Sequence, residues 1–239
     1  MPKSRKILRT SDCSCHDAQR GNMTMQSTTK EKVILLGSGG HAKVVVDILE
    51  KSETYEIVGI ITKDKINSFL NYPVLGNDDL LPILYKKGIT KVAMGIGSFR
   101  DNNLRKKVFS KVKRMGFNVV SAIDPTATIS KSVILGEGSV IFAGAIINTL
   151  VVIGDNVIIA TGSTIDHETR IENHVLISAG VTIGANNLIG EGALLALGSK
   201  VISGLKIGKN VVVGAGAVVT KDIKKPGIYI GIPARKKGA

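Results

Sequence analysis

The stretch from Pro125 to Thr220 divides without a gap into sixteen hexads: PTATIS (125–130), KSVILG, EGSVIF, AGAIIN, TLVVIG, DNVIIA, TGSTID, HETRIE (167–172), NHVLIS, AGVTIG, ANNLIG, EGALLA, LGSKVI, SGLKIG, KNVVVG and AGAVVT (215–220). The fifth position is aliphatic in every hexad, from Ile129 through Ile165, Ile171 and Ile177 to Val219. The third is small or medium, as at Ala127, Ser163, Val181 and Ala217. Positions six, one and two collect Gly, Asn, Asp, Glu, Lys and Ser, the residues of exposed turns. Residues two apart share one face of a strand, so positions three and five point into one core. A period of six does not keep one side of a 3.6-residue helix apolar, and Val and Ile at the core positions favour strands. The pattern predicts a left-handed parallel β-helix of hexapeptide repeats with three hexads per coil. Residues 18 apart then stack at one strand spacing, roughly 4.8 Å. At position four, Ile146, Val152, Ile158 and Leu194 predict apolar flat sides, which a homotrimer would bury.

Upstream of the hexads, strand and helix patterns alternate. Residues 32–37 read as a buried strand, 38–40 as a turn and 41–51 as a helix. A strand follows at 55–61, then a helix at 78–87 with Asn77 or Asp78 as its N-cap. Residues 91–96 read as a strand, 102–115 as a basic helix and 117–123 as a last strand before Pro125. This order predicts a small Rossmann-like parallel sheet over 31–124, ahead of the β-helix over 125–239 with its C-terminal extension. Ligands of such sheets sit beyond the carboxyl ends of the strands, which points to Gly37, Ser38, Gly39, Gly40, His41, Gly97 and Ser98. Gly37-Ser38-Gly39-Gly40-His41-Ala42 fits G-x-G-x-x-A between a strand and a helix, an arrangement that offers backbone N–H groups to phosphate. The second strand ends in Ile61-Thr62-Lys63-Asp64, with no acid at its tip to hold an adenosine ribose, which argues against a dinucleotide cofactor.

The chain has 239 residues, 44% of them hydrophobic, 4% aromatic and no Trp, as expected of a coil lined by Val, Ile and Ala. No apolar run reaches the roughly 18 residues that span a membrane. The first 24 residues lack the apolar core of a secretory signal, so a cytoplasmic protein without membrane insertion is expected. Residues 1–30 are polar and aperiodic and read as a disordered tail. That tail holds both cysteines, Cys13 and Cys15, beside His16, too few ligands for a structural zinc. Net charge is +13, yet no aromatic-plus-basic motif or recognition helix accompanies it, so nucleic acid is not an expected partner. A small polyanion such as a nucleotide or coenzyme A accounts for the excess.

Three features together carry a family resemblance: Gly37-Ser-Gly-Gly-His41-Ala, Gly95-Ile-Gly97 followed by Arg105-Lys-Lys107, and the hexads with Asp166-His167-Glu168 and a terminal Tyr229-Ile-Gly231-Ile-Pro233-Ala234-Arg235. The chain resembles bacterial sugar acetyltransferases of the sialic acid O-acetyltransferase and bacillosamine-pathway N-acetyltransferase type, over about residues 31–239. The resemblance implies an acetyl-CoA-dependent N-acetyltransferase of a nucleotide-linked amino-deoxysugar, or alternatively an O-acetyltransferase of a sialic-acid-like sugar. It implies a homotrimer with sites between neighbouring β-helices, no metal, His167 as general base and Glu168 as its partner. Acetyl-CoA is then expected on the later coils, at Ala185, Gly204, Lys206 and Lys221. Two departures concern the acceptor: Ala160 and Leu176 stand where family members often carry Asn and His.

His167 opens its hexad at a corner, and a histidine titrates near 6.5, which suits a base at neutral pH. Asp166 and Glu168 flank it, and spacing alone does not choose between them as the group that fixes its tautomer. Ala185 lies one coil on, so its N–H is a candidate oxyanion donor. His174 reads as structural or interfacial, His41 as a substrate contact or helix cap, and Arg105, Lys106 and Lys107 as the wet face of a helix. A metal-dependent β-helix carbonic anhydrase would need three histidines, and the β-helix contains only His167 and His174. A non-catalytic nucleotide-sugar-binding subunit is disfavoured by the intact His167-Glu168 pair.

Overall fold

The computed structural model describes residues 30–98 and 102–238. The tail with Cys13, Cys15 and His16 lies outside them. The first unit contains β1 (Glu31–Leu36), α1 (Gly40–Lys51), β2 (Tyr55–Ile61), β3 (Ser68–Phe69), β4 (Tyr72–Gly76), α2 (Leu81–Lys86), β5 (Lys91–Met94), α3 (Asn103–Arg114) and β6 (Asn118–Val120). The sheet order is β3-β4-β2-β1-β5-β6, parallel except for β3 against β4. β1 lies between β2 and β5, so the strand order reverses at its tip and opens a crevice between Gly37 and Gly95. Val33, Leu35, Ala42, Val45 and Leu49 pack one face of the sheet, and Ile34, Leu36, Met94, Phe109, Val112 and Phe117 the other. The 78–87 helix begins as a 3₁₀ turn, capped by the Asn77 side chain accepting from the Asp79 amide at 3.0 Å. Within this unit the β3–β4 hairpin has no counterpart in the sequence reading, because a two-residue β3 and a five-residue β4 leave too little periodicity to detect.

The 117–123 strand is in fact two. Asn118–Val120 belongs to the α/β sheet, whereas Ala122–Ile123 pairs in parallel with Val140–Ile141 and starts the β-helix. From there strands stack 18 residues apart into three sheets, with registers such as Ile147 to Ile165 to Ile183. The inward residues from Ile141 to Val219 form one buried cluster, ended by Ile223 and the partly buried Tyr229. Two inward hydroxyls are satisfied locally: Ser163 and Thr169 donate to the carbonyls of Ser178 and Gly184 at 2.9 and 3.0 Å.

The corners from the third hexad on turn through the same conformation. From Gly138 to Gly216 the second residue of each hexad has positive φ. Most are Gly or Asn, which tolerate the left-handed region; Leu150 (φ 58°), Glu168 (58°) and His174 (60°) do not fit that rule. The flat sides depart from expectation. Ile146 is exposed (44%), but Ile158 and Leu194 are buried (3% and 6%), laddered with Leu176 and Phe142 on the side that the α/β unit abuts.

Candidate active site

The loop after β1 follows from its glycines. Gly37 adopts φ +99°, its amide donates to the Ile61 carbonyl at 2.8 Å, and an added Cβ would lie 3.0 Å from Ile96 Cγ1. Gly39 and Gly40 have nothing within 4 Å of an added Cβ, so the backbone at the start of α1 faces open space. No side chain caps that helix, leaving its first N–H groups for a ligand. Beside them Ser38 Oγ donates to the Asp64 carboxylate and shares a 2.7 Å hydrogen bond with Thr62 Oγ1, which in turn accepts from the Asp64 amide. Sequence reasoning missed Thr62 and Asp64: the acid absent from the strand tip reaches back from three residues further on. A cavity of about 670 Å³ spans this loop, Thr62–Asp64, Asp78, Gly95–Ser98 and Leu104.

His41, Gly97 and Ser98 also wall a second cavity of about 280 Å³, completed by Phe142, Ile158, Ala160, Thr161, Leu176, Ser178, Ala179 and Leu197. The two spaces therefore adjoin at His41. Its ring stacks on Phe142 (centroids 5.5 Å apart, planes at 28°), and a side chain at position 97 would lie 2.7 Å from His41 Cβ. Burial, with Arg105 beside it, pushes His41 down to about 3, so the imidazole is neutral at physiological pH.

Arg105 is not on a wet face. It is 1% exposed and donates to the carbonyls of Met94 (3.1 Å), Ile96 (2.7 Å) and Gly138 (2.8 Å), because the first coil of the β-helix closes over that side of α3. Lys106 pairs with Glu191 across the same junction. His174 is buried, bonded through Nδ1 to Asn156 at 2.9 Å, and its ring meets Phe109 edge-on. Burial, then Lys106, lowers its pKa.

His167 stands at another corner, between the Thr164–Ile165 and Arg170–Ile171 strands. Its Nδ1 is 3.0 Å from Glu168 Oε2, both side chains about half exposed. Asp166 instead accepts from the His167 backbone amide at 2.8 Å and from Asn148 at 3.0 Å, and those donors hold its pKa low. The ring's carboxylate partner is thus Glu168, and Asp166 braces the turn. The Ala185 N–H is not free as an oxyanion donor: it donates to Ser203 Oγ at 3.0 Å. The Gly204 amide is likewise engaged, on the Ala185 carbonyl at 2.9 Å. Lys206 lies on the next flat side, where it joins Lys209 and Lys224 over Leu188, Ile207 and Ile223 in a cavity of about 350 Å³. Lys221 lines none of these spaces. No group of three or more His, Cys, Asp or Glu among the described residues could hold a metal ion. No helix among them is long and apolar enough to cross a membrane.

Residues 32–112 match the PglD N-terminal domain, and residues 180–221 match the hexapeptide repeat of succinyl-transferase. A solved histidine-to-alanine variant of GDP-perosamine N-acetyltransferase from Caulobacter crescentus, in complex with CoA and GDP-perosamine, is 38% identical. The alignment covers 87% of this chain and 97% of that one, with a TM-score of 0.82. The chain belongs to the hexapeptide-repeat sugar acetyltransferases. The acetyltransferase domain of PglB from Neisseria gonorrhoeae FA1090 is 30% identical, covering 87% of this sugar acetyltransferase and 100% of that chain, with a TM-score of 0.81. A curated relative, UDP-N-acetylbacillosamine N-acetyltransferase of Bacillus subtilis (strain 168), is 28% identical over 113 residues, 47% of this chain. That match spans about half (52%) of the relative's length.

Proposed function

We propose that this acetyltransferase transfers the acetyl group of acetyl-CoA directly to the amino group of a nucleotide-linked amino-deoxysugar, with His167 as general base. The observation that carries the reading is the His167 Nδ1–Glu168 contact, which leaves Nε2 without a partner among the described residues at an exposed corner. Glu168 accepting from Nδ1–H fixes the tautomer in which Nε2 can take a proton. As the sugar amine attacks the thioester carbonyl, Nε2 removes its proton. Collapse of the tetrahedral adduct then breaks the C–S bond, and the imidazolium returns the proton to the departing CoA thiolate.

The glycine loop and the unoccupied amides of α1 suit the diphosphate, and the adjoining cavity at Ala160 and Leu176 suits the sugar. Lys206, Lys209 and Lys224 supply cations for the CoA phosphates. His167 lies one corner away from the sugar cavity on its own prism, so a second copy must bring a catalytic corner to each acceptor cavity. Cyclic threefold packing of prisms does this, and a homotrimer is part of the proposal. A cytoplasmic location is likewise part of the proposal. N-acetylation is preferred to the sialic-acid-type O-acetylation because the relatives whose substrates are named are N-acetyltransferases.

The test is a CoA-release assay with acetyl-CoA and UDP-, dTDP-, GDP- and CMP-linked 4-amino sugars, and with CMP-sialic acid. Turnover with one amino sugar that disappears in His167→Ala supports the reading. Turnover only with the hydroxyl acceptor, or full activity in His167→Ala, overturns it.

A further inference from the structure

Arg105 is a cation sealed in the interior without a counter-ion. No carboxylate among the described residues lies within ion-pairing distance, and its Nε has no acceptor. Burial lowers even this guanidinium, to about 9. Buried charges are expensive, and an apolar side chain of similar volume commonly serves stability as well or better. Stability alone therefore does not account for arginine at this position.

Its other contact does. Arg105 Nη1 lies 3.3 Å from His41 Nε2. A guanidinium has no lone pair to offer, so in this contact Nε2 accepts, sharing the two N–H groups of Nη1 with the Met94 and Ile96 carbonyls, and the ring proton of a neutral histidine then resides on Nδ1. Nδ1 lies on the side of Gly97, 3.7 Å from where a Cβ there would stand, where the diphosphate cavity meets the smaller one. The charged group that acts on His41 is Arg105 from α3, opposed by the Met94 carbonyl, which favours a proton on the ring; Gly95, Ile96, Gly97 and Ser98 after β5, and Phe142 from the β-helix, carry no charge.

We propose that Arg105 is a positioning residue for the acceptor: by donating to His41 Nε2 it fixes the Nδ1–H tautomer, so that His41 presents an N–H to an oxygen of the nucleotide sugar at the diphosphate–sugar junction. The proposal rests on the nucleotide-sugar reading above. The same guanidinium grips Met94 and Ile96 at the sheet and Gly138 on the β-helix, so the donor is referenced to both units at once. Without Arg105 the Met94 carbonyl loses a donor beside the ring, and an Nε2–H on His41 can take its place. Nδ1 would then become an acceptor, facing ligand oxygens that are acceptors themselves.

The experiment is nitrogen-15 NMR of histidine-labelled protein at pH 7, paired with calorimetric titration of GDP-perosamine and of UDP- and dTDP-linked 4-amino sugars. In the ligand-free wild type, the His41 signal, assigned by its loss in His41→Phe, is expected to show protonated Nδ1 and bare Nε2. Arg105→Lys, which keeps a donor, should retain that pattern and most of the affinity. Arg105→Met should switch to Nε2–H and weaken sugar-nucleotide binding at least tenfold, with KM for acetyl-CoA unchanged. An Nε2–H tautomer in the wild type overturns the inference even if Arg105→Met does not fold. So does a folded Arg105→Met that loses affinity with the Nδ1–H pattern intact, since that marks a purely structural role. Failure of every nucleotide sugar to bind a wild type that shows Nδ1–H would instead overturn the proposed function.

Discussion

At the carboxyl ends of β1 and β5 one chain walls a cavity of about 670 Å³, with an uncapped helix start, a braced serine and a half-buried neutral histidine. At the His167 corner the same chain offers a histidine and a glutamate half in solvent, with no enclosing wall of its own. The sheet fold creates its crevice by topology, because strand order reverses there whatever the side chains. A β-helix corner is convex, and in the proposed trimer its concavity would come from a neighbour. Under the proposed function the cavity at the sheet could be filled by a lone chain, whereas the His167 corner would draw on a second copy, and the two should fail independently.

The largest break is expected at His167. His167→Ala should lower kcat by about 10²–10⁴-fold, the usual share of positioned acid–base catalysis, with a smaller change in KM. Nucleotide-sugar affinity by calorimetry should not move, and the melting temperature should stay put, because Ile165 and Ile171 still fill the core beneath. A large loss of sugar affinity would mean that the two regions are not separate.

Gly39→Val tests the other side. Nothing lies within 4 Å of an added Cβ, so the fold should accept it, but the side chain would stand over the α1 amides. Losing one charge-assisted hydrogen bond there costs about 1.5–3 kcal/mol, or roughly 10–100-fold in sugar-nucleotide affinity. CoA affinity should not change. Equal weakening of both ligands would refute the division.

The junction between the regions has its own signature. Asp124 is buried and accepts from the Thr126 amide (2.9 Å), the Thr126 hydroxyl (2.6 Å) and Lys51 (3.3 Å). Burial pushes its pKa up, but those donors outweigh it and hold the carboxyl below its ordinary value. A depressed folded pKa gives stability that is present above the unfolded value, about 3.9, and is lost as pH falls through the lower folded one. Asp124→Asn should cost about 2 kcal/mol at pH 7 in urea unfolding. It should also flatten the decline in stability below about pH 4. An unchanged acid limb would show that the junction does not depend on this carboxylate.

The hexad period made the β-helix readable because every coil repeats one rule, and the turn position showed as Gly or Asn. The glycine loop was readable for the same reason: a backbone requirement leaves a residue-type mark. What the sequence concealed was contact between units. Arg105, followed by Lys106 and Lys107, looks like a solvated helix face, and only the first coil lying over it makes it interior. Ile158 and Leu194 look like the outward apolar residues of a bare prism until the α/β unit is placed against them. The Ala185 amide looked free because the stacking rule supplies position but not the Ser203 side chain that occupies it.

The smallest expected effect separates Glu168 as a functional residue from Glu168 as a corner. Its φ of 58° is a conformation that Gly and Asn occupy at most other corners, as Asn186 does one coil on. A non-glycine residue with a Cβ and no local hydrogen bond pays about 1–2 kcal/mol to sit there. Leu150 and His174 carry nearly the same φ at corners without a proposed catalytic role, so the conformation alone does not mark Glu168 as functional, and stability and activity must be measured apart. Glu168→Asn should therefore move two properties in opposite directions. Stability in urea should rise by about 1 kcal/mol as the backbone relaxes. Losing the carboxylate on Nδ1 should lower kcat by about tenfold, the worth of one hydrogen bond to a charged partner. Asp166→Asn, which leaves Nδ1–Glu168 untouched, should cost less activity than Glu168→Asn. If Glu168→Asn were less stable and fully active, position 168 would be only a turn, and the orientation of His167 would have to come from the neighbouring copy.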